Sequence, residues 1–149
     1  MAKRQHIDSG CYLKGLQDTI ENIQAAIDKI EQGSVQGLAD ALMYVGAESQ
    51  NRAPVETGDL RGSLEVEAGG TIIAKGKTGG GIDIIADPPE NGTHGSVSYN
   101  TPYAAAQHEH TEYDHPLGGQ AKYLESVLVE EQDGILKLVG GGVINSLEE

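Results

Sequence analysis

Six apolar residues near the start of the chain constrain its fold most. Leu13, Leu16, Ile20, Ile23, Ile27 and Ile30 recur at spacings of 3, 4, 3, 4 and 3. A strand would scatter them over both of its faces, whereas a helix gathers them into one stripe. Gln17, Asp18, Glu21, Asn22, Gln24, Asp28 and Lys29 then form the opposite, polar face. The stripe breaks at Glu31-Gln32-Gly33-Ser34, where Gly33 is suited to end a helix and Ser34 to cap the next. Val35, Leu38, Leu42 and Val45 resume it in a new phase. Pro54 sets the limit, because the residue before a proline is pushed out of the helical region. Residues 11–52 therefore read as helical, either as an antiparallel hairpin or as one bent helix. The plainest use of such a face is to cover a sheet, and about three heptads also suffice for packing between subunits.

The period then changes to two. Leu64, Val66 and Ala68 alternate with Ser63, Glu65 and Glu67, which predicts a half-buried strand. Gly69-Gly70 turns the chain into a second strand at Thr71-Ile72-Ile73-Ala74, and Lys75 to Gly81 reads as a flexible loop or hairpin tip. Ile82, Ile84 and Ala86 mark a third strand that Asp87-Pro88-Pro89 stops. Asn91-Gly92 is a further turn, and Val97 and Tyr99 mark a fourth strand. Beyond Pro102, residues 103–108 predict a short helix and residues 110–119 a polar loop. A last helix starts near Gln120 with Leu124, Leu128, Ile135 and Leu138 on its apolar face. Gly140-Gly141-Gly142 predicts its end or fraying. The expectation is one α+β domain over residues 1–149: helices over 11–52, an antiparallel sheet of about four strands over 58–101, then helices and a polar loop over 102–149. In it the C-terminal helix packs on the sheet.

Composition narrows the function. Of 149 residues, 23 are Asp or Glu and 10 are Lys or Arg, a formal net charge of -13. That balance disfavours a nucleic-acid binder, which neutralises phosphates with a basic face, and equally an anionic membrane surface. No apolar run reaches the roughly 18 residues of a membrane span. Met1-Ala2-Lys3-Arg4 is basic, but no apolar region follows as in a secretory signal. Cys11 is the one cysteine, so no internal disulfide forms, in keeping with a reducing cytoplasm. With 21 Gly, no Phe and no Trp, the core is built from Ile, Leu, Val, Ala and Tyr and is thin, which makes stabilisation by partner subunits attractive.

Catalytic patterns are sparse. His108-Glu109-His110-Thr111-Glu112-Tyr113-Asp114-His115 holds three His and three carboxylates, so His108, His110 and His115 are the candidate metal ligands. The segment lacks the helical zinc pattern of two His four apart around a Glu, and reads more simply as a polar surface loop with no metal and no cofactor. Gly76-Lys77-Thr78-Gly79 lacks the earlier glycine of a phosphate-binding loop: position 71 is Thr. No Gly-x-Ser-x-Gly elbow occurs. The chain is expected not to be an enzyme.

Ala53-Pro54-Val55-Glu56-Thr57-Gly58-Asp59-Leu60-Arg61-Gly62-Ser63-Leu64 is the most informative stretch. Physically it is a helix-to-strand junction: Pro54 ends the helix, Gly58 turns, Leu60 and Leu64 return to the core, and Arg61 calls for a carboxylate partner within the chain or across a subunit boundary. The stretch resembles the Ala-Pro-Val-x-Thr-Gly-x-Leu-Arg-x-Ser-Leu signature of the gene-product-10-like neck proteins of long-tailed bacteriophages, the tail-completion, head–tail joining or minor capsid proteins. Tyr103-Ala104 with Gln107-His108-Glu109, and Gly118-Gly119-Gln120-Ala121-Lys122-Tyr123-Leu124-Glu125, resemble two further stretches of that family in the same order. The Gly-Thr that follows the family's Glu is replaced by residues 110–115.

The resemblance implies a structural virion protein without catalysis, made in the host bacterial cytoplasm and located at the head–tail junction. It implies a homo-oligomeric ring, hexameric or dodecameric, between a head-side portal, adaptor or stopper protein and a tail tube or terminator protein. DNA passes through the lumen without specific binding. Pro54, Thr57, Gly58, Leu60, Arg61, Ser63, Tyr103, Glu109, Tyr123 and Leu124 are the residues it assigns to the subunit or neck interface. A tail terminator or capsid-associated minor protein is the alternative position, and a metal-dependent enzyme using residues 108–115 the alternative chemistry.

Overall fold

The computed structural model describes residues 9–149, with side chains from residue 14 onward. Residues 1–4 and the side chains of Cys11 and Leu13 lie outside the described part. The fold is α+β. Helix α1 (Ser9–Arg52) leads through a single turn, α2 (Asp59–Gly62), into strands β1 (Leu64–Ala68), β2 (Thr71–Gly76), β3 (Ile82–Ile84) and β4 (Gly95–Tyr99). Helices α3 (Ala104–Glu109), α4 (Glu125–Glu130) and α5 (Gln132–Glu148) follow. None of the described helices is long and apolar enough to cross a membrane.

The sheet is antiparallel in the order β3-β2-β1-β4. Leu64 faces Tyr99 and Val66 faces Val97 across the β1–β4 pair, and Ala74 faces Ile84 across β2–β3. β1 shows the expected alternation: Leu64, Val66 and Ala68 are buried, while Glu65 and Glu67 point outward. Glu65 pairs there with Lys75 at 3.0 Å. The buried face meets the C-terminal half of α1, where Ala39, Leu64, Val66, Ala68, Ile73 and Ala74 form the main core with Leu42 and Met43 packed against it.

Two breaks expected from the sequence are absent. α1 runs as one helix through Gly33 and Ser34, and the Ser34 hydroxyl donates back to the Ile30 carbonyl at 2.7 Å instead of capping a new helix. α5 likewise runs through Gly140-Gly141-Gly142. The reason is tertiary. A Cβ on Gly33 would stand 2.5 Å from the Gly142 carbonyl oxygen, and one on Gly142 would strike the Gly33 carbonyl. A Cβ on Gly37 would fall on the carbonyl of Val139. Gly33, Gly37 and Gly142 let two helix backbones touch, and that close packing offsets the unfavourable helix propensity of the glycines, Gly140 and Gly141 included, at which a Cβ would meet nothing within 4 Å.

The C-terminal helix also takes a different partner from the one expected: α5 lies along α1, which is the helix that covers the sheet. Gly33 meets Ser146, Gly37 meets Val139, and Tyr44 donates to Glu131 at 3.1 Å, so the two helices run antiparallel. Farther down, Arg52 pairs with Glu130 at 2.6 Å and with Glu131 at 3.4 Å. The last helical region starts at Glu125 rather than near Gln120, and α4 and α5 are separated at Glu131.

Candidate functional site

The three stretches that resemble the neck family lie far apart in sequence and meet at the C-terminal end of α1. Ala53, Leu60, Ala104 and Tyr123 form one buried cluster, with Tyr99 and Leu124 packed against it. The stretches are also stitched by backbone: Val55 N–H donates to Gly118 O at 3.3 Å, Gln120 N–H to Arg52 O at 2.8 Å, and Lys122 N–H to His108 O at 2.7 Å. Gly119 is held so closely that a Cβ would strike the Cα of Pro54.

Tyr123 is the centre of this cluster. It is 2% exposed, its hydroxyl donates to Ala104 O at 3.0 Å, and burial pushes that hydroxyl's pKa up to about 12. Its ring stands edge-on to Tyr99 and to His108, each 5.0 Å away between centroids. Burial raises the Tyr99 hydroxyl as well, and that group pairs with Ser49 Oγ at 2.8 Å. The tyrosines thus fill the volume that Phe or Trp would otherwise take.

Arg61 has no carboxylate partner among the described residues. Its Nε and Nη2 donate to Ala53 O at 3.2 and 2.9 Å, and Nη2 also reaches Asn51 O at 3.2 Å. These carbonyls stand at the end of α1, where the last turn leaves acceptors unpaired and the helix dipole is negative, so a cation supplies what the helix lacks. Gly58, at φ 83°, takes a left-handed turn that brings it against Thr78 O. The loop after β2 therefore packs on the motif rather than forming a free tip. Gln50, 2% exposed, holds it: its Nε2 donates to Arg61 O at 3.0 Å and Gly81 O at 2.9 Å, while Oε1 accepts Gly81 N–H at 2.8 Å.

Pro54, Gly58, Leu60 and Tyr123 are buried within the chain, Leu60 and Tyr123 as members of the core cluster. Arg61 and Ser63 are half-buried, with the Ser63 hydroxyl donating to Leu60 O at 2.8 Å. Leu124 is half-buried and lines an open apolar groove of about 260 Å³ with Leu42, Val97 and Val139. Thr57, Tyr103 and Glu109 are exposed. Thr57 and Tyr103 rim a dimple of about 10 Å³, room for a single water.

The His-rich stretch does not converge. His108 is on α3, and His110 ends that helix, pairing with Glu112 at 2.6 Å and stacking on Tyr113 at 4.7 Å. Nε2 of His115, at a polar recess with Glu56 and Gln107, meets no hydrogen-bond partner among the described residues. The donors that do come together are His108, Glu109 and Glu125, within 4.8 Å of one another. Each is already engaged. His108 Nε2 accepts Glu125 N–H at 3.3 Å, which leaves the proton on Nδ1, 2.7 Å from Glu109 Oε1. Lys122 Nζ lies between the two carboxylates, 2.5 Å from Glu109 and 3.0 Å from Glu125. The ammonium holds Glu109 below the usual carboxylate range, with the His108 bond adding to the effect, and Glu109 and Glu125 together raise Lys122. The backbone of Lys122 is left-handed at φ 55°.

Gln50, Arg52 and Lys122 carry these connections and none stands out in the sequence by type. Only Lys122, inside the third matching stretch, sits where a signal pointed. Comparison of the chain with protein-family models, curated proteins and solved structures finds no match.

Proposed function

We propose that this chain is a structural virion protein of a tailed bacteriophage: a ring-forming neck component that joins the DNA-filled head to the tail and lets DNA pass. The observation that carries the reading is the convergence of the three stretches that resemble the neck family. Their cluster residues run from Ala53 to Tyr123, and the first stretch lies well upstream of the other two, so their meeting in one cluster is more than neighbouring sequence requires. The core of this cluster is structural, so its role is to fix the fold, while Thr57 and Tyr103 at its rim are exposed and open to a neighbour, and Glu109, exposed as well, is held by His108 and Lys122.

At the His-rich loop His108, Glu109, Lys122 and Glu125 engage one another, and the reading asks no catalytic role of them. The chain is a scaffold without catalysis in this reading. Its net charge of -13 supplies the sliding surface: carboxylates facing a ring lumen repel phosphates, so DNA passes without adhering.

The position of the protein in an electron-microscopy map of the particle tests the proposal. A ring at the head–tail junction is expected. Density at the tail-tube end or on the capsid assigns one of the alternative positions, and a protein absent from virions and strictly monomeric in solution overturns the reading. A lumen that is basic or neutral, with the acids outside, removes the sliding-surface part alone.

A further inference from the structure

Resting on the reading that copies of this chain assemble, we infer that the N-terminal half of α1 is the seam on which they do so, each copy laying Leu16, Ile20, Ile23, Ile27 and Ile30 against the same stripe of a second copy. These five side chains are 41 to 56% exposed, an extent of apolar surface that single exposed residues do not explain.

The face is the upward continuation of an interface the chain already makes. Leu16, Ile23, Ile30, Gly37 and Tyr44 fall on one line at seven-residue intervals. The lower two meet α5, Gly37 at Val139 and Tyr44 at Glu131. Ser146 of α5 stands at Gly33, and above that point no described residue covers the line. What α5 does for the lower half, a helix from another copy does for the upper half.

Charge identifies that helix as a like one. Two copies at -13 each repel, so a seam between them needs flanks with few acids. Along the upper stripe the flanking residues Gln17, Thr19, Gln24 and Ala26 are uncharged, and one acid, Glu31, stands at the lower end of the edge that Gln17 and Gln24 begin. Asp18, Glu21, Asp28 and Lys29 lie toward the far side of the helix. The glutamines are tied back at the same seven-residue interval, Gln17 to Glu21 at 3.0 Å and Gln24 to Asp28 at 2.9 Å. A strict repeat of 3.5 residues with mostly uncharged flanks fits a partner helix of the same repeat, in knobs-into-holes packing.

The test uses the full chain with Cys11 replaced by Ser. Ile23 is the midpoint of the stripe, so Ile23→Cys brings two thiols together whether the paired helices run parallel or antiparallel, and rapid disulfide cross-linking between copies is expected. The double variant Ile23→Glu/Ile27→Glu removes two apolar contacts per copy and should weaken association about a hundredfold or more by sedimentation, with the helix content by circular dichroism retained. An assembled wild type whose mass is unchanged in the double variant, with no cross-link at 23, overturns the seam and leaves the neck reading standing, since copies then meet elsewhere. A wild type that stays monomeric at every concentration overturns the seam and counts against assembly itself.

Discussion

The guanidinium of Arg61 donates from Nη2 to the carbonyl oxygen of Ala53 at 2.9 Å, on the residue that directly follows α1. The link joins the end of the longest helix to the turn that opens the sheet, so it belongs to the fold of each chain. Arg61→Ala is expected to destabilise by about 1.5–3 kcal/mol, the range for a hydrogen bond to a charged group whose partner is left unpaired. Denaturant unfolding of the variant at low protein concentration checks this. An unchanged midpoint, with loss confined to assembly, would show that Arg61 works between chains instead.

The glycines of the α1–α5 contact divide into two kinds. Gly37→Ala places a methyl on the Val139 carbonyl and should cost about 1–3 kcal/mol by forcing the helices apart. Gly140→Ala meets nothing within 4 Å and should stabilise by roughly 0.5–1 kcal/mol through helix propensity. Thermal melts of the two variants should move in opposite directions. Equal shifts would mean that α5 does not pack where it is described.

Tyr123→Phe keeps the ring and leaves the Ala104 carbonyl without its donor. The expected loss is about 1 kcal/mol in urea unfolding. The hydroxyl also gives a pH signature. Its folded pKa is raised from 10.0 to about 12, so its contribution is fully present below the unfolded value and is lost as pH rises through the folded one. The wild type should therefore lose stability between pH 10 and 12 more steeply than Tyr123→Phe, with Tyr99 still contributing in both.

Acid should loosen the link between α3 and α4. Glu109 titrates below its ordinary 4.5 because Lys122, and then His108, favour its charged form. A depressed folded pKa gives stability that is present above the unfolded value and lost as pH falls through the folded one. Amide hydrogen exchange at Lys122 and Glu125 should accelerate as pH drops below 4.5, after correction for intrinsic rates. In Glu109→Gln that acceleration should be smaller. The pair is exposed, so the effect is expected to be local rather than a global unfolding step.

Much of the fold is legible because periodicity is local. The alternation at Leu64, Val66 and Ala68 marks β1, and Pro54 marks the end of α1, without knowledge of anything distant. Contacts made through backbone leave no such trace. Gly33 and Gly140-Gly141-Gly142 read as breaks by propensity, and stay helical where two backbones meet at Gly33 and Gly142. Four-residue spacing of Gly33 and Gly37 on one helix face was the available signal. Arg61 reads as half of an ion pair, yet its partners are carbonyl oxygens, which every residue carries. Arg52 does have carboxylate partners, but they lie 78 and 79 residues away. At the candidate site, the residue types were visible and their mutual engagement was not: nothing in the order of residues 108–125 says that Lys122 lies between Glu109 and Glu125.

Gln50 reaches both Arg61 O and Gly81 O as a donor and takes Gly81 N–H as an acceptor, all from one buried amide. Glutamate of the same length has no donor, lysine has no acceptor, and methionine has neither in useful strength. Asparagine is one methylene too short. Position 50 is therefore a filter that passes a single amino acid, although its letter is unremarked in the sequence. Paired with a glycine at 76, where a Cβ would strike Arg61 O, it gives a two-position test for recognising other chains built on this plan when overall sequence likeness has faded.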